Sequence, residues 1–220
     1  MVDYRRLRLS NLTSPEFNHL LPALYWPVHG ILFAAVEQPR PLAACHPVWC
    51  PLDNLIPFNE WFLIPYLIWF LYIPGMLIYL ALYDTVAFRR FMYFIIATYG
   101  VTLLVYLVYP TCQNLRPTVF PRDNFLTRLT MAFYEFDTNT NVCPSLHCIG
   151  SFAVAFAAWD TPRFRSLFWK ISFFAMSALI SVSTVFVKQH SVVDVFWAMV
   201  VCAAGYALVY GRKKPAAQPV

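Results

Sequence analysis

Long uninterrupted apolar runs dominate the chain, where a soluble protein would have short alternating or amphipathic segments. The six runs cover residues 20–37, 61–83, 91–109, 145–159, 167–186 and 191–211. A helix needs about 20 apolar residues to cross a bilayer core of roughly 30 Å. Lipid offers no partners to backbone amides and carbonyls, so each run is predicted to be a helix. The pattern predicts an all-α polytopic membrane protein, a bundle of six transmembrane helices.

Composition excludes most soluble classes of protein. Hydrophobic residues make up 60% of the 220 residues and charged residues only 12%, against about a quarter charged in soluble domains. The net charge of +5 comes from Lys and Arg in short segments between the runs, which indicates membrane topology rather than nucleic-acid binding. The polar N-terminus leads into a full-length run, which is not typical of a cleavable signal peptide. We expect one integral membrane domain, residues 1–220, with the bilayer as partner and no nucleic acid.

The basic residues fall into two unequal groups when the segments between runs alternate sides. One group has 11 members: Arg5, Arg6, Arg8, Arg89, Arg90, Arg163, Arg165, Lys170, Arg212, Lys213 and Lys214. The other has five: Arg40, Arg116, Arg122, Arg128 and Lys188. Because cytoplasmic segments carry the excess of positive charge, we expect a plasma-membrane protein with both termini in the cytoplasm. The segments 38–60, 110–144 and 187–190 are then expected to face outward.

Polar side chains gather at the predicted outer ends of the runs, where their cost near hydrocarbon makes them functional candidates. They are Arg116, Ser145, His147, Lys188, His190 and Asp194. His190 and Asp194 are four residues apart, a spacing that puts the carboxylate one helical turn from the imidazole. The acid can take the proton of one ring nitrogen and orient the ring. The other ring nitrogen is then free to attack an electrophile.

The start of the fourth run is predicted to bind an anion. Ser145 follows a proline, which suits the first turn of a helix. The unpaired amides of that first turn, including the amide of Leu146, favour the binding of phosphate. Arg116 and Lys188 would neutralise phosphate oxygens, and such cations supply much of the catalysis of phosphoryl transfer. His147 is then suited to protonate the departing alkoxide. These residues predict a phosphoryl-transfer site.

Three separated motifs resemble those of the type 2 phosphatidic acid phosphatase superfamily. That family's first motif is Lys, six residues, Arg-Pro, and residues 109–117 are YPTCQNLRP. Its second is Pro-Ser-Gly-His, and residues 144–147 are PSLH. Its third is Ser-Arg, five residues, His, three residues, Asp, and residues 183–194 are STVFVKQHSVVD. The order and spacing of all three motifs are kept.

The resemblance implies a metal-independent enzyme that forms a phosphohistidine and needs no cofactor. By position, it implies His190 as the nucleophile, Asp194 as its orienting partner and His147 as the general acid. It also implies that Arg116 and Ser145 bind phosphate.

The chain departs from the family's motifs at three positions. Tyr109, Leu146 and Thr184 stand where the family has Lys, Gly and Arg. Two of these departures remove cations, which Lys188 or Gln113 is expected to replace at the phosphate. The Ser-Thr and Lys-Gln-His variant resembles the branch that contains sphingolipid phosphotransferases.

We therefore expect hydrolysis of a lipid phosphate or diphosphate, with isoprenoid diphosphates and phosphatidate-like lipids as the first candidates. The alternative is a lipid phosphotransferase of the sphingolipid-synthase type, which would pass a phospho-headgroup to a hydroxyl acceptor. A third possibility is a transporter or scaffold that has the fold without the chemistry. The presence of His147, His190 and Asp194 argues against the third possibility.

Other polar residues of the outer segments are expected to have ordinary roles. Three acids are interpreted as solvated loop polarity rather than as metal ligands: Asp123, Glu135 and Asp137. Cys143, His147 and Cys148 do not have a spacing that suits zinc. A disulfide between Cys112 and Cys143, which an oxidising compartment would permit, is left open.

Overall fold

The computed structural model describes residues 2–37 and 44–211, and its regular structure is almost entirely helical. The α-helices are α1 (Tyr25–Val36), α2 (Pro51–Leu55), α3 (Leu63–Tyr83), α4 (Thr85–Val108), α5 (Phe125–Phe136), α6 (Leu146–Asp160), α7 (Leu167–Phe186) and α8 (Val192–Val209). Two short strands, β1 (His46–Pro47) and β2 (Thr111–Cys112), pair in parallel. Four residues of the charge count lie outside the described residues: Arg40, Arg212, Lys213 and Lys214.

All six apolar runs fold as helices. Within the described ranges, five helical stretches are long and apolar enough to cross a membrane: Asn18–Val36, Glu60–Tyr83, Thr85–Val108, Leu167–Phe186 and Val192–Val209. The first two begin with 3₁₀ turns that lead into α1 and α3. α6 is also apolar but has only 15 residues, about 22 Å at the usual rise per residue. The chain is an all-α protein of the membrane type, and the number of crossings stays a prediction.

α4 begins six residues earlier than the hydrophobic pattern predicted, at Thr85 instead of residue 91. Asp84 alone separates α3 from α4, and its Oδ1 accepts a hydrogen bond from Ala87 N at 3.0 Å, which caps the new helix. Arg89 and Arg90 therefore lie in α4 and not in a loop. They obscured the helix start because arginine lowers the local hydropathy but has a high helix propensity.

α6 occupies the centre of the bundle and packs against α3, α4, α7 and α8. Its small side chains are buried, among them Ala153, Val154, Ala157 and Ala158. Small residues let neighbouring helices approach closely, as is usual in membrane bundles. At Gly150 a Cβ would stand 2.4 Å from both Ile73 Cδ1 and the Tyr99 hydroxyl. The short helix is thus surrounded by other helices of the bundle.

One end of the bundle gathers the N-terminal segment, the α3–α4 turn and the C-terminal ends of α6 and α8. Arg90 forms an ion pair with Asp160 at 2.9 Å and lies over the Tyr210 ring. The Tyr4 hydroxyl donates to the carbonyl of Ala81, near the end of α3. The charge count put these segments on one side. Which side of a membrane this end faces stays a prediction.

The opposite end carries structure that the hydrophobic pattern did not predict. It consists of α2, the β1–β2 pair and the amphipathic helix α5, which Asn124 caps by accepting from a first-turn amide at 3.0 Å. Buried Glu60 binds both Arg122 and Asn124 at 2.8 Å and so ties the start of α5 to the start of α3. No disulfide joins Cys112 to Cys143, the pairing that the sequence left open.

Candidate active site

Three buried side chains form a hydrogen-bonded row at the end of the bundle that carries α2 and α5. His190 Nδ1 lies 3.1 Å from Asp194 Oδ2, and His190 Nε2 lies 3.2 Å from His147 Nδ1. A carboxylate can only accept, so His190 donates from Nδ1 and keeps a lone pair on Nε2. His147 Nδ1 is then the donor in the second hydrogen bond. The row presents a ring nitrogen with a lone pair beside a ring nitrogen that carries a proton.

The turn between α7 and α8 determines where His190 lies. Lys188 adopts a left-handed conformation, with φ of 55°, and His190 N then donates to Thr184 O at 3.1 Å. Ser191 caps α8, and Asp194 Oδ2 accepts from Ser191 N at 2.9 Å. His190 therefore precedes the helix. Its contact with Asp194 comes from this capping turn and not from two positions on one helical face, as the spacing suggested.

His147, the second residue of α6, faces an acid of its own. Its ring packs against Trp69 and Tyr66, with centroids 4.4 and 4.8 Å apart. Its Nε2 has no hydrogen-bond partner in the described chain and lies 3.8 Å from Asp137 Oδ2, to which the Tyr66 hydroxyl donates. Asp137 is thus the acid that faces this nitrogen. Asp137 was interpreted as solvated loop polarity, and its closeness to the second motif was the only sequence signal for it.

A cavity of about 170 Å³ opens beside the two histidines, and we call it the site cavity. Its polar wall includes Glu37, Asp137 and Asn141, and Asn141 Oδ1 is buried with no hydrogen-bond partner in the described chain. Its apolar wall is aromatic: Phe33, Trp69, Phe70 and Tyr106. A second, apolar cavity of about 310 Å³ shares Trp69 and Phe70 with it and lies between α1 and α3. The site cavity and the apolar cavity thus have Trp69 and Phe70 as a common wall.

Arg116 binds the side chain of Gln189, the residue before His190 in the chain. Its guanidinium donates to Gln189 Oε1 at 2.7 Å, to Tyr134 O at 2.8 Å and to the carbonyl of Asp137. The guanidinium also lies over the Tyr134 ring, 4.3 Å from the centroid. Burial lowers the pKa of Arg116, and the nearby Tyr134 and Asp137 oppose that shift. An arginine stays charged even so.

Ser145 caps α6, as its position in the second motif predicted. Its Oγ accepts from Cys148 N at 3.4 Å, and its amide donates to Asp194 O at 3.3 Å, which joins the starts of α6 and α8. Leu146 follows it and lines the site cavity. The first-turn amides of a helix lack intrahelical partners and carry a partial positive charge. This start therefore has the character of an anion site.

Lys188 and Gln113 lie elsewhere than predicted. The Lys188 ammonium donates to the carbonyls of Asp53, at 2.8 Å, and Ile56, and burial lowers its pKa while Asp53 opposes that shift. Gln113 Nε2 donates to the carbonyls of Lys188 at 2.9 Å and Gln189 at 3.3 Å. The left-handed backbone at residue 188 directs the lysine toward α2. Both side chains hold the turn before His190, and phosphate binding by them stays a prediction.

The two motif positions that lost cations bring no charge to the site. Tyr109 stacks on His46 with ring centroids 3.8 Å apart, and Thr184 Oγ1 donates to Ser181 O at 2.8 Å. Across residues 2–37 and 44–211, no group of three or more His, Cys, Asp or Glu side chains could hold a metal ion. Arg116 is the motif cation that the chain keeps.

A bundle of apolar helices with a row of two histidines and an acid at one end defines a class of membrane proteins suited to phosphoryl transfer. Residues 90–215, more than half of the chain, match the model of the PAP2 superfamily. The chain belongs to that superfamily, which confirms the resemblance carried by the three motifs. Its members are generally phosphatases, so the match supports a phosphoric ester hydrolase. No curated protein and no solved structure matches the chain.

Proposed function

We propose that the protein is a membrane phosphatase that hydrolyses a lipid phosphate or diphosphate through a phosphohistidine at His190. The observation that carries the proposal is the row of Asp194, His190 and His147, with contacts of 3.1 and 3.2 Å. Such a row supplies an oriented nucleophile and, next to it, a donor for the leaving group.

The first step is in-line attack by His190 Nε2 on phosphorus. A nitrogen–phosphorus bond forms as the bond to the lipid oxygen breaks, and His147 gives that oxygen its proton. Asp194 holds the proton on His190 Nδ1 and stabilises the positive charge that develops on the ring. In the second step His147 takes a proton from water, the hydroxyl attacks phosphorus, and the nitrogen–phosphorus bond breaks. Inorganic phosphate leaves and both histidines return to their first state.

The phosphate oxygens need donors, because phosphoryl transfer spreads negative charge over them in the transition state. The amides of Leu146 and His147 at the start of α6 are the candidates, together with the Ser145 hydroxyl and Arg116. Preorganised donors of this kind are worth more in a buried site than in water. Arg116 would exchange its bond with Gln189 for a phosphate oxygen.

A lipid substrate is favoured by the aromatic wall that the site cavity shares with the apolar cavity. Trp69 and Phe70 line both, so a phosphate at the histidines could extend an acyl or isoprenoid chain between α1 and α3. We further propose that α6 is a sixth crossing, within one domain spanning residues 1–220. The site would lie at the outer surface of the plasma membrane, with both termini in the cytoplasm.

The test is His190→Ala, assayed for release of inorganic phosphate from phosphatidate and from farnesyl diphosphate. We expect a loss of roughly 10³-fold or more, the scale seen when a catalytic nucleophile is removed. A labelled phosphoenzyme should form in the parent, stable in base and labile in acid. His46→Ala is the matched control, because His46 lies at the same end of the bundle but stacks on Tyr109. Turnover by His190→Ala at the parent rate would favour a transporter or scaffold, or another nucleophile.

A second candidate function is transfer of the phosphoryl group to a hydroxyl acceptor, and the polar wall of the site cavity favours it. The Glu37 carboxylate and Asn141 Oδ1 are hydrogen-bond acceptors, which suit a hydroxyl-bearing molecule better than a phosphate. Thr140 and Asn141 donate to Glu37 at 3.3 and 3.0 Å and hold this wall together. A polyol or lipid alcohol bound there would lie close to His147, the base of the second step.

Product analysis separates the two functions. Phosphatidate is supplied with glycerol, inositol or a lipid alcohol, and products are scored as inorganic phosphate or as new phosphate esters. If transfer is the function, Glu37→Gln should lower the transferred fraction and spare hydrolysis. Glu135→Gln, on the exposed surface of α5, is the control. Inorganic phosphate as the sole product under every condition would exclude transfer and support hydrolysis as the function.

A further inference from the structure

We infer that Asp53 is a positioning residue for the nucleophile: it holds the turn that carries His190, so that the imidazole stays aligned on Asp194. The inference rests on the proposed function, because it takes His190 to be the group that attacks phosphorus. Asp53 lies in α2, ahead of the residues 90–215 that match the superfamily. The family's motifs therefore do not include it.

Both oxygens of the Asp53 carboxylate bind the start of α8. Oδ2 accepts from the Ser191 hydroxyl at 2.6 Å, and Oδ1 accepts from Val192 N at 2.9 Å. Oδ2 also accepts from Cys50 N at 2.8 Å, which fixes the acid on its own short helix. Asp53 is only 1% exposed, so these contacts are shielded from water. Such charge-assisted hydrogen bonds are stronger than neutral ones.

These contacts fall on the residues that set the geometry between His190 and Asp194. The Ser191 hydroxyl accepts from Val193 N at 3.1 Å while it donates to Asp53. A hydroxyl can rotate, and Asp53 selects the rotation that leaves a lone pair for the helix cap. Because the same turn presents Asp194 to His190, a shift in the cap would misalign the nucleophile.

A second set of hydrogen bonds connects α2 with the turn that carries His190. The Lys188 ammonium donates to the carbonyls of Asp53, at 2.8 Å, and Ile56. Lys188 has φ of 55°, a conformation that is unfavourable for a residue with a side chain and persists only where its surroundings hold it. α2 therefore contacts the turn on both sides of His190. The contacts are with Lys188 before it and with Ser191 and Val192 after it.

The central test is Asp53→Asn, which keeps the shape of the side chain but puts an amide donor in place of one oxygen. Whichever oxygen is replaced, the amide meets the Ser191 hydroxyl or the Val192 amide. We expect kcat for phosphatidate to fall about tenfold to a hundredfold, the scale of a small misplacement of a catalytic group. KM should change by less than about threefold, because no phosphate contact is lost.

Glu60→Gln is the matched control. Glu60 is also a fully buried carboxylate of the outer segment before α3, but its side chain binds Arg122 and Asn124 and not the turn at 188–194. Melting temperatures of both variants report general destabilisation. If Asp53→Asn and Glu60→Gln had the same kcat, Asp53 would be an ordinary buried acid and the inference would be overturned.

Lys188→Met is a second variant, useful if Asp53→Asn does not fold. We expect it to lower kcat with little change in KM, because it loosens the turn. A raised KM with an unchanged kcat would mean that Lys188 binds phosphate, which contradicts its role in holding the turn.

Amide hydrogen exchange separates the inference from the proposed function. Asp53→Asn should speed exchange across residues 188–194 and leave the central part of α6 unchanged, whatever the substrate. Unchanged exchange at 188–194 overturns the inference even if the parent is an active phosphatase. Parent-like turnover by His190→Ala would instead contradict the proposed function. Faster exchange at 188–194 in Asp53→Asn would still support the contact between α2 and the turn.

Discussion

The two histidines of the row have acids at unequal distances. Asp194 makes a direct contact of 3.1 Å with His190 Nδ1, whereas Asp137 lies 3.8 Å from His147 Nε2. A direct hydrogen bond fixes the tautomer of a neutral ring. A carboxylate slightly farther away acts mainly through its charge, which favours the protonated ring. Asp194 is therefore suited to orient the ring of His190, and Asp137 to stabilise a second proton on His147 when the reaction places one there.

Asp137→Asn is expected to lower kcat for phosphatidate roughly tenfold, because it removes the charge that helps His147 hold its proton. The loss should be smaller with p-nitrophenyl phosphate, since its leaving group departs without protonation. Asp123→Asn, which alters an exposed pair with Arg128, is the control. Equal losses on the two substrates would mean that Asp137 acts through Arg116 or Tyr66 and not through proton transfer.

The sequence indicated the histidines and Asp194 because their motif spacing is short and regular. Asp53 carried no such signal, since it contacts Ser191 across 138 residues of chain and no periodicity encodes that contact. The position of the Lys188 side chain could not be predicted for a different reason. Its charge suggested phosphate, but the left-handed backbone that turns it toward α2 depends on tertiary contacts.

At the level of helices, length and hydropathy predicted the long elements well. α7 begins and ends where its apolar run does, at Leu167 and Phe186. α5 was missed because an amphipathic helix contains no long apolar run, and its polar residues were interpreted as loop. α2 has only five residues. A helix this short forms only with tertiary support, so local sequence could not indicate it.

Gly150→Ala is expected to destabilise the bundle by about 1–3 kcal/mol, the usual range for overpacking a core. The added Cβ would stand 2.4 Å from Ile73 Cδ1 and from the Tyr99 hydroxyl. Tyr99 also donates to Leu146 O at 3.2 Å, so its displacement should disturb the start of α6 and reduce activity. Thermal unfolding in detergent measures the first effect.

Gly100→Ala is the control for that variant, because nothing lies within 4 Å of a Cβ added at Gly100 in α4. Its melting temperature should equal or exceed that of the parent, since alanine favours helix more than glycine does. A Gly150→Ala variant as stable as Gly100→Ala would mean that α3 and α4 pack more loosely around α6 than the contacts indicate.

For the molecule as a whole, the central question is whether α6 crosses the membrane. Its 15 residues are fewer than a lipid-facing helix needs. Its neighbours cover most of its surface, however, and its last residue, Asp160, pairs with Arg90 at the end of the bundle opposite the histidines. A helix enclosed by protein can link the two ends with fewer residues, because the lipid does not set its length.

Whether the number of crossings is even or odd tests directly whether α6 crosses the membrane. Six crossings put the two termini on the same side of the membrane, and five put them on opposite sides. Tags fused before Met1 and after Val220 are both expected to need permeabilised cells for antibody binding, as the positive-inside rule predicts. A tag engineered between Pro121 and Asn124, at the end of the bundle that carries the histidines, should be accessible in intact cells. Termini on opposite sides would mean that α6 does not cross the membrane.

The wall of Trp69 and Phe70, common to the polar and the apolar cavity, has a consequence for traffic through the proposed enzyme. A lipid could slide in edgewise from the bilayer and never leave its hydrophobic surroundings as its headgroup met the histidines. After cleavage the lipid alcohol would diffuse back into the bilayer along the same lateral path, while inorganic phosphate would escape into water. The two products would part into different phases, and that partition would itself oppose the reverse reaction.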